Sequence, residues 1–423
     1  MDIKNKYYYL LNLIFFFIII NYLFAIINFK NNISNWVLVE WLINYQGGLV
    51  RRGFLGEVIN QYYNFTKNSQ PIIIVIFSSI AYLIIIFYYY SISKEFFKKN
   101  IFLGLIITLS PATLLFGIYD IQALFRKEVF ILALILYHAH IAKLTLNKTN
   151  DFDEYIFKLK FIIITFLSIN ILIHEIQFFF LAVHVLITLI ILKNKNYKKK
   201  ILNFYFIPLI MFIFISYKSI QFTGTNDIRN SLIQYPTQLI FQDGNPIYFL
   251  EGNFFLIVGS LIKLFFAYNY FQFLELFFSF ILSVGIILFL LNIFVKKKNK
   301  FIIYFNYTIL CIAIVLLLIT FDFGRALHIL SIHIIAFFYI FDLKKINLKY
   351  IYKIIISFFT FMYIFLWNLP HAYIGYQGTI YSSGIMNVIK KDIASIFFIL
   401  PEKTTKKIPL FIHSELQKYK NND

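Results

Sequence analysis

FIIYFNYTILCIAIVLLLITF, residues 301–321, carries no charged side chain over its whole length. A helix of about 20 residues rises about 30 Å, which is the thickness of a bilayer's hydrocarbon core. A helix also satisfies every backbone N–H and C=O within its own segment, so this stretch reads as a membrane-spanning helix. Working outward, KKKNK at 296–300 precedes it, and LLNLIFFFIIINYLFAII at 10–27 repeats the apolar pattern near the N-terminus. Comparable runs recur through all 423 residues, 60% of which are hydrophobic, with a mean hydropathy of +0.75. Strict period-two alternation is absent, which excludes a membrane β-barrel.

The fold expected is therefore all-α and polytopic, with about 11–12 spans. They are predicted at 9–28, 71–92, 101–119, 129–146, 158–174, 176–193, 201–218, 273–295, 301–321, 326–341 and 351–368. One integral membrane domain covers 1–368, and the less apolar tail 369–423 is expected to lie at the interface. MDIKNK before the first span resembles a secretory n-region. The run after it is too long and lacks a small-residue cleavage site, so it is expected to stay as an anchor. The single cysteine, Cys311, lies in a span and gives no disulfide or metal framework.

The formal charge of +19 does not point to nucleic acid. The excess lysine sits between spans, in SKEFFKKN (93–100), KNKNYKKK (193–200), KKKNK and DLKKINLKY (342–350), and these are placed in the cytoplasm. Counting crossings from there forces 253–270 to be a re-entrant or interfacial helix within a long outer loop. It puts 29–70, 119–128, 174–175, 218–252, 322–325 and the tail on the outer side, which is periplasmic for a bacterial inner-membrane protein.

Arginine separates from lysine in this scheme. Of 39 basic side chains only Arg51, Arg52, Arg126, Arg229 and Arg325 are arginines, and all five fall on the outer side. A guanidinium presents a planar fork that matches phosphate or carboxylate, so arginines gathered at one membrane surface point to an anionic ligand of fixed geometry. The bland alternative is that each snorkels or pairs with a neighbouring acid. GGLVRRGFLGE (47–57) offers Arg51, Arg52 and Glu57 among glycines. DIQALFRKE (120–128) offers Arg126 and Glu128, with Lys127 read as ordinary interfacial charge. LIHEIQ (172–177) is the sharpest signal, because His174 and Glu175 interrupt an apolar run. Glu175 is expected to have a raised pKa and to serve as a general base. TFDFGRALHI (320–329) places Asp322 and Arg325 one helical turn apart, with His328 beyond.

No metal and no cofactor are expected. DFDE at 151–154 imitates a DxD metal motif but lies in a lysine-bearing inner loop. His138 and His140 in YHAH do not share a helix face, and His184 and His333 are single histidines within spans.

The many spans, outer arginines and isolated acids resemble bacterial enzymes of lipid-linked glycan assembly, most closely O-antigen polymerases. Behind these stand the integral-membrane glycosyltransferases of GT-C type, from many of which the chain departs in lacking an acidic pair in its first outer loop. GGLVRRG, FRKE, HE and DFGR look like a motif set of polysaccharide-cluster membrane proteins. The resemblance implies transfer of a growing glycan from undecaprenyl diphosphate to a lipid-linked acceptor sugar, in O-antigen or capsule synthesis. Arg51, Arg52, Arg126 and Arg325 would then bind diphosphate, with Glu57, Glu128 and His328 lining the substrate site. Glu175 or Asp322 would be the base, with His174 orienting it. Partners implied are the lipid-linked glycan, the bilayer and other polysaccharide-assembly proteins. The rival expectation is a transporter or flippase of an anionic lipid-linked sugar.

Overall fold

A computed structural model of the chain describes residues 3–369 apart from 28–34, 67–69, 148–150, 194–197, 233–245, 251–258, 260–275, 297–298, 321, 346–349, 366 and 368. The re-entrant helix expected at 253–270 falls outside the described residues but for Gly259, and the tail from 370 onward falls outside them entirely. The protein is an all-α, multi-pass membrane protein. Among the described residues seven helices are long and apolar enough to cross a bilayer, and three shorter apolar helices accompany them.

The first half contains α1 (Ile3–Ile27), α2 (Asn35–Leu42), α3 (Gly53–Thr66), α4 (Gln70–Lys99), α5 (Ile101–Leu109) and α6 (Val129–Leu146). In the second half, α7 runs from Phe152–Lys158 through a π turn, Leu159–Ile163, into Ile164–Ile173. Then come α8 (Gln177–Ile191), α9 (Phe206–Ile220) and α10 (Thr225–Leu232). The π turn Ile281–Gly285 leads into α11 (Ile286–Phe294), followed by α12 (Lys300–Ile319), α13 (Phe323–Tyr339) and α14 (Tyr350–Phe365).

The span expected over 101–119 is a shorter helix. Pro111 donates no N–H and drives the preceding residue out of the helical region, and Ser110 is extended at φ −62°, ψ 134°. The chain then continues through turns and two four-residue helices, Phe116–Tyr119 and Ile121–Leu124, to reach Arg126. The first outer loop, 29–70, also holds more order than expected, since both α2 and α3 lie in it.

The core sits around α6 and α13. Along α13 every residue but Arg325 and His328 is buried, as befits a helix that is apolar on all sides. Phe16, Ile213 and Tyr307 on α1, α9 and α12 face outward, the arrangement expected where the surrounding solvent is lipid. The α2–α3 turn, the starts of α6, α8 and α13 and the end of α7 meet at one end of the bundle. At the other end the Lys296 N–H donates to the Asp342 carbonyl at 3.0 Å, and the Lys344 N–H to the Phe294 carbonyl at 2.6 Å.

Candidate functional site

The shared helix end is built on two close backbone approaches. Gly47 and Gly224 abut so tightly that a Cβ on either would enter the other's backbone, which seats α10 against the α2–α3 turn. Gly56 approaches the Ile43 carbonyl in the same way and folds α3 back on α2. The indole Nε1–H of Trp41 donates to the Phe125 carbonyl at 2.5 Å and ties α2 to the segment carrying Arg126. Within the turn Arg52 adopts φ +63°, a left-handed conformation that costs a residue with a Cβ about a kilocalorie or more. Lys127 Nζ donates to the Arg52 carbonyl at 2.7 Å and holds that conformation from the far side.

On this frame GGLVRRG, FRKE, HE and DFGR converge. Arg52 forks Glu175, with Nη2 to Oε1 at 2.7 Å and Nε to Oε2 at 2.9 Å, and reaches Glu40 Oε1 with Nη1 at 3.2 Å. Arg126 Nη1 takes the other oxygen of Glu40 at 2.5 Å. Arg325 Nη1 donates to Glu128 Oε1 at 2.5 Å, and its Nη2 pairs with Asp322. Arg51 Nη1 stands 3.5 Å from Glu175 Oε1. His174 Nδ1 accepts the Ile176 N–H at 3.3 Å, so in the neutral ring the proton sits on Nε2, 3.4 Å from Glu128 Oε1. His174 thus stands between three carboxylates, with Nε2 3.4 Å from Glu128 and 3.9 Å from Glu40 and Nδ1 3.7 Å from Glu175, the partner expected from sequence, and it hydrogen-bonds none of them.

Five cations thus face four carboxylates, and the charges nearly cancel, the condition under which buried ions are tolerated. Burial alone would push the Glu175 carboxyl up, but Arg52, His174 and Arg51 outweigh it and hold it well below the usual carboxylate range. The raised pKa expected for Glu175 is thereby reversed. Burial is likewise outweighed at Glu128, chiefly by Arg325, and at Glu40, chiefly by Arg126 and then Arg52. Burial lowers Arg51, whereas at Arg52 the Glu175 carboxylate overcomes burial and raises it. Lys127, fully buried, is brought down to about 7 by burial, which the nearby carboxylates only partly offset.

Glu57 is not drawn into this network. Its carboxylate accepts from the Tyr45 N–H at 3.0 Å and the Gln61 Nε2 at 3.1 Å, closing the local turn. His328 contacts the Ala112 carbonyl through Nδ1 at 3.0 Å and packs on Phe116. It also lines a cavity of about 20 Å³ together with Arg126, Glu128 and Arg325. Among the described residues, three buried polar atoms of the lining have no partner: Arg126 Nε, Arg325 Nε and Glu128 Oε2. Such a volume admits about one water molecule or one hydroxyl group. Two members of the network went unrecognised in the sequence. Glu40 is only 1% exposed and bridges Arg52 and Arg126, and Lys127, expected at the interface, is fully buried. The signal for Glu40 was present, a lone acid in the apolar run WVLVEWL.

A second buried polar chain lies midway along the bundle. Tyr205 Oη donates to the His184 carbonyl at 3.0 Å, and because a carbonyl only accepts, this contact fixes every proton upstream. Thr188 donates to Tyr205, Tyr155 to Thr188, and His138 Nε2–H to Tyr155. His138 Nδ1 consequently accepts from His184 Nδ1–H at 2.8 Å. Among the described residues no group of three or more histidine, cysteine or acidic side chains is placed to hold a metal ion.

Compared with protein-family models, with curated proteins and with solved structures, the chain has no match.

Proposed function

We propose that this protein is a membrane glycosyltransferase or polysaccharide polymerase of the bacterial inner membrane. In this reading it acts at the periplasmic face on an undecaprenyl-diphosphate-linked oligosaccharide in O-antigen or capsule synthesis. The observation supporting it is the convergence of four arginine- and acid-bearing stretches in one ion-pair network, beside a small cavity lined by Arg126, Glu128 and Arg325 of two of them. In the reaction the acceptor hydroxyl attacks the anomeric carbon, the bond to the diphosphate oxygen breaks, and the hydroxyl proton passes to a base. Arg126 and Arg325 Nε–H suit the lone pairs of that hydroxyl, and Glu128 Oε2 suits its proton. Glu128 thus replaces Glu175 and Asp322 as the preferred base, since Arg52 engages both oxygens of Glu175 and Asp322 pairs with Arg325. With a pKa well below the usual range, it would take the proton only as the new C–O bond forms. Arg51 and Arg52 suit the diphosphate, which would displace Glu175 from them.

The test is transfer from an undecaprenyl-diphosphate-linked donor in proteoliposomes. Arg52→Lys and Arg325→Lys keep the charge and lose the fork. Each should cost roughly 1.5–3 kcal/mol, or about tenfold or more in rate. Glu128→Gln should lose most of the activity. Wild-type rates in all three at matched protein levels would defeat the reading.

The alternative, a transporter or flippase of an anionic lipid-linked sugar, would also use arginines in a membrane cavity but should carry charge deep within both halves, whereas the arginines of this cluster gather at one end of the bundle. We therefore favour the enzyme.

A further inference from the structure

Away from the ion-pair cluster, a groove of about 660 Å³ runs between α5, α11 and α14. Its walls include Leu103, Ile286, Leu290 and Phe359, and its side opens past Ile293 and Phe359, which are 43% and 64% exposed. One end lies at Asn100 and Phe294, beside the lysine-rich connections, and the other at Trp367, beyond the end of α14. From Leu282 to Phe294 the wall is about 18 Å long at 1.5 Å per residue. One leaflet of a hydrocarbon core about 30 Å thick is about 15 Å deep. The groove therefore matches a chain from one leaflet and is far too short for a long polyprenyl chain laid out along it.

Trp367 supplies the polar end. It is 5% exposed, lines the groove, and its Nε1–H has no partner among the described residues. A buried indole N–H ordinarily finds an acceptor. The unpartnered Thr360 hydroxyl, two turns away, is a different case, because it can rotate onto a carbonyl of its own helix. The indole has no such recourse.

We propose that the groove is a binding site for one phospholipid. An acyl chain lies between α5, α11 and α14, and its ester carbonyl accepts the Trp367 Nε1–H. The site is independent of the glycan chemistry proposed above.

The test is native mass spectrometry of the full chain, delipidated in mild detergent and titrated with palmitoyl-oleoyl-phosphatidylethanolamine. Wild type should retain one lipid under collisional activation. Ile286→Trp, which narrows the groove at its wall, should reduce retention at least tenfold. Trp367→Phe, which keeps the ring and removes the donor, should reduce it severalfold. Ile303→Trp, on the outer face of α12, should leave it unchanged. If Ile286→Trp does not fold, Trp367→Phe decides the matter. No retained lipid in wild type, retention unaffected by Trp367→Phe, or a polyprenyl lipid as the species held after purification would overturn the proposal.

Discussion

Burial brings the charge of Lys127 into play near neutral pH. Its folded pKa is lowered to about 7 from an ordinary 10.5, so between those values the unfolded chain binds more protons than the native one. Stability from this group must then rise with pH across that window, by up to about 1.4 kcal/mol per pH unit, and stay flat below it. Lys127→Met removes the effect. Melting midpoints of both proteins from pH 6 to pH 9 should differ by a constant offset at the low end, with the wild type gaining relative to the variant as pH rises above about 7. Parallel curves would show that Lys127 stays charged throughout. At this scale much of the site was legible. Arg51, Arg52, Arg126, His174, Glu175, Asp322 and Arg325 each stood out because ionisable groups in apolar surroundings are costly. Their pairing was not legible, because Arg325 meets an acid 197 positions away. Glu175 was misjudged for the same reason: burial was visible in the sequence, but the arginines that outweigh it were not assigned to it.

The elements depend on glycines where backbones touch. Gly47 belongs to the α2–α3 turn and Gly224 precedes α10, and neither position has room for a Cβ. Gly47→Ala and Gly224→Ala should each destabilise the protein by about 1–3 kcal/mol. The double variant should cost less than the two single effects added, because both relieve the same approach by separating the same pair. Thermal unfolding in detergent measures this, and strict additivity would mean that the two glycines act separately. Hydropathy located most of the spans because the bilayer imposes length and apolarity on each. It failed at 101–119, where the run stays apolar but Pro111 stops the helix after Leu109. It also left 29–70 as a loop, since α2 is too short to register as a span and α3 too polar.

For the whole molecule, the Lys296–Asp342 contact lies at the opposite end of the bundle from the arginine cluster, and the positive-inside rule predicts that the cluster faces outward. In a Cys311→Ser background, Gln61→Cys on α3 should react with an impermeant maleimide from outside spheroplasts, and Lys345→Cys should react only after lysis. The reverse pattern would invert the orientation. The same long-range architecture bears on biosynthesis. A ribosome delivers Glu40, Arg52, Arg126, Glu128 and Glu175 to the translocon well before Arg325 exists, and Asp322 and Arg325 arrive together as an already neutral pair. A nascent chain cannot close the ring of charges until its second-to-last described helix has entered the bilayer. A product truncated before that point leaves Glu128 without the Arg325 guanidinium. The Glu128–Arg325 pair is thus among the last contacts of the cluster that the growing chain can make.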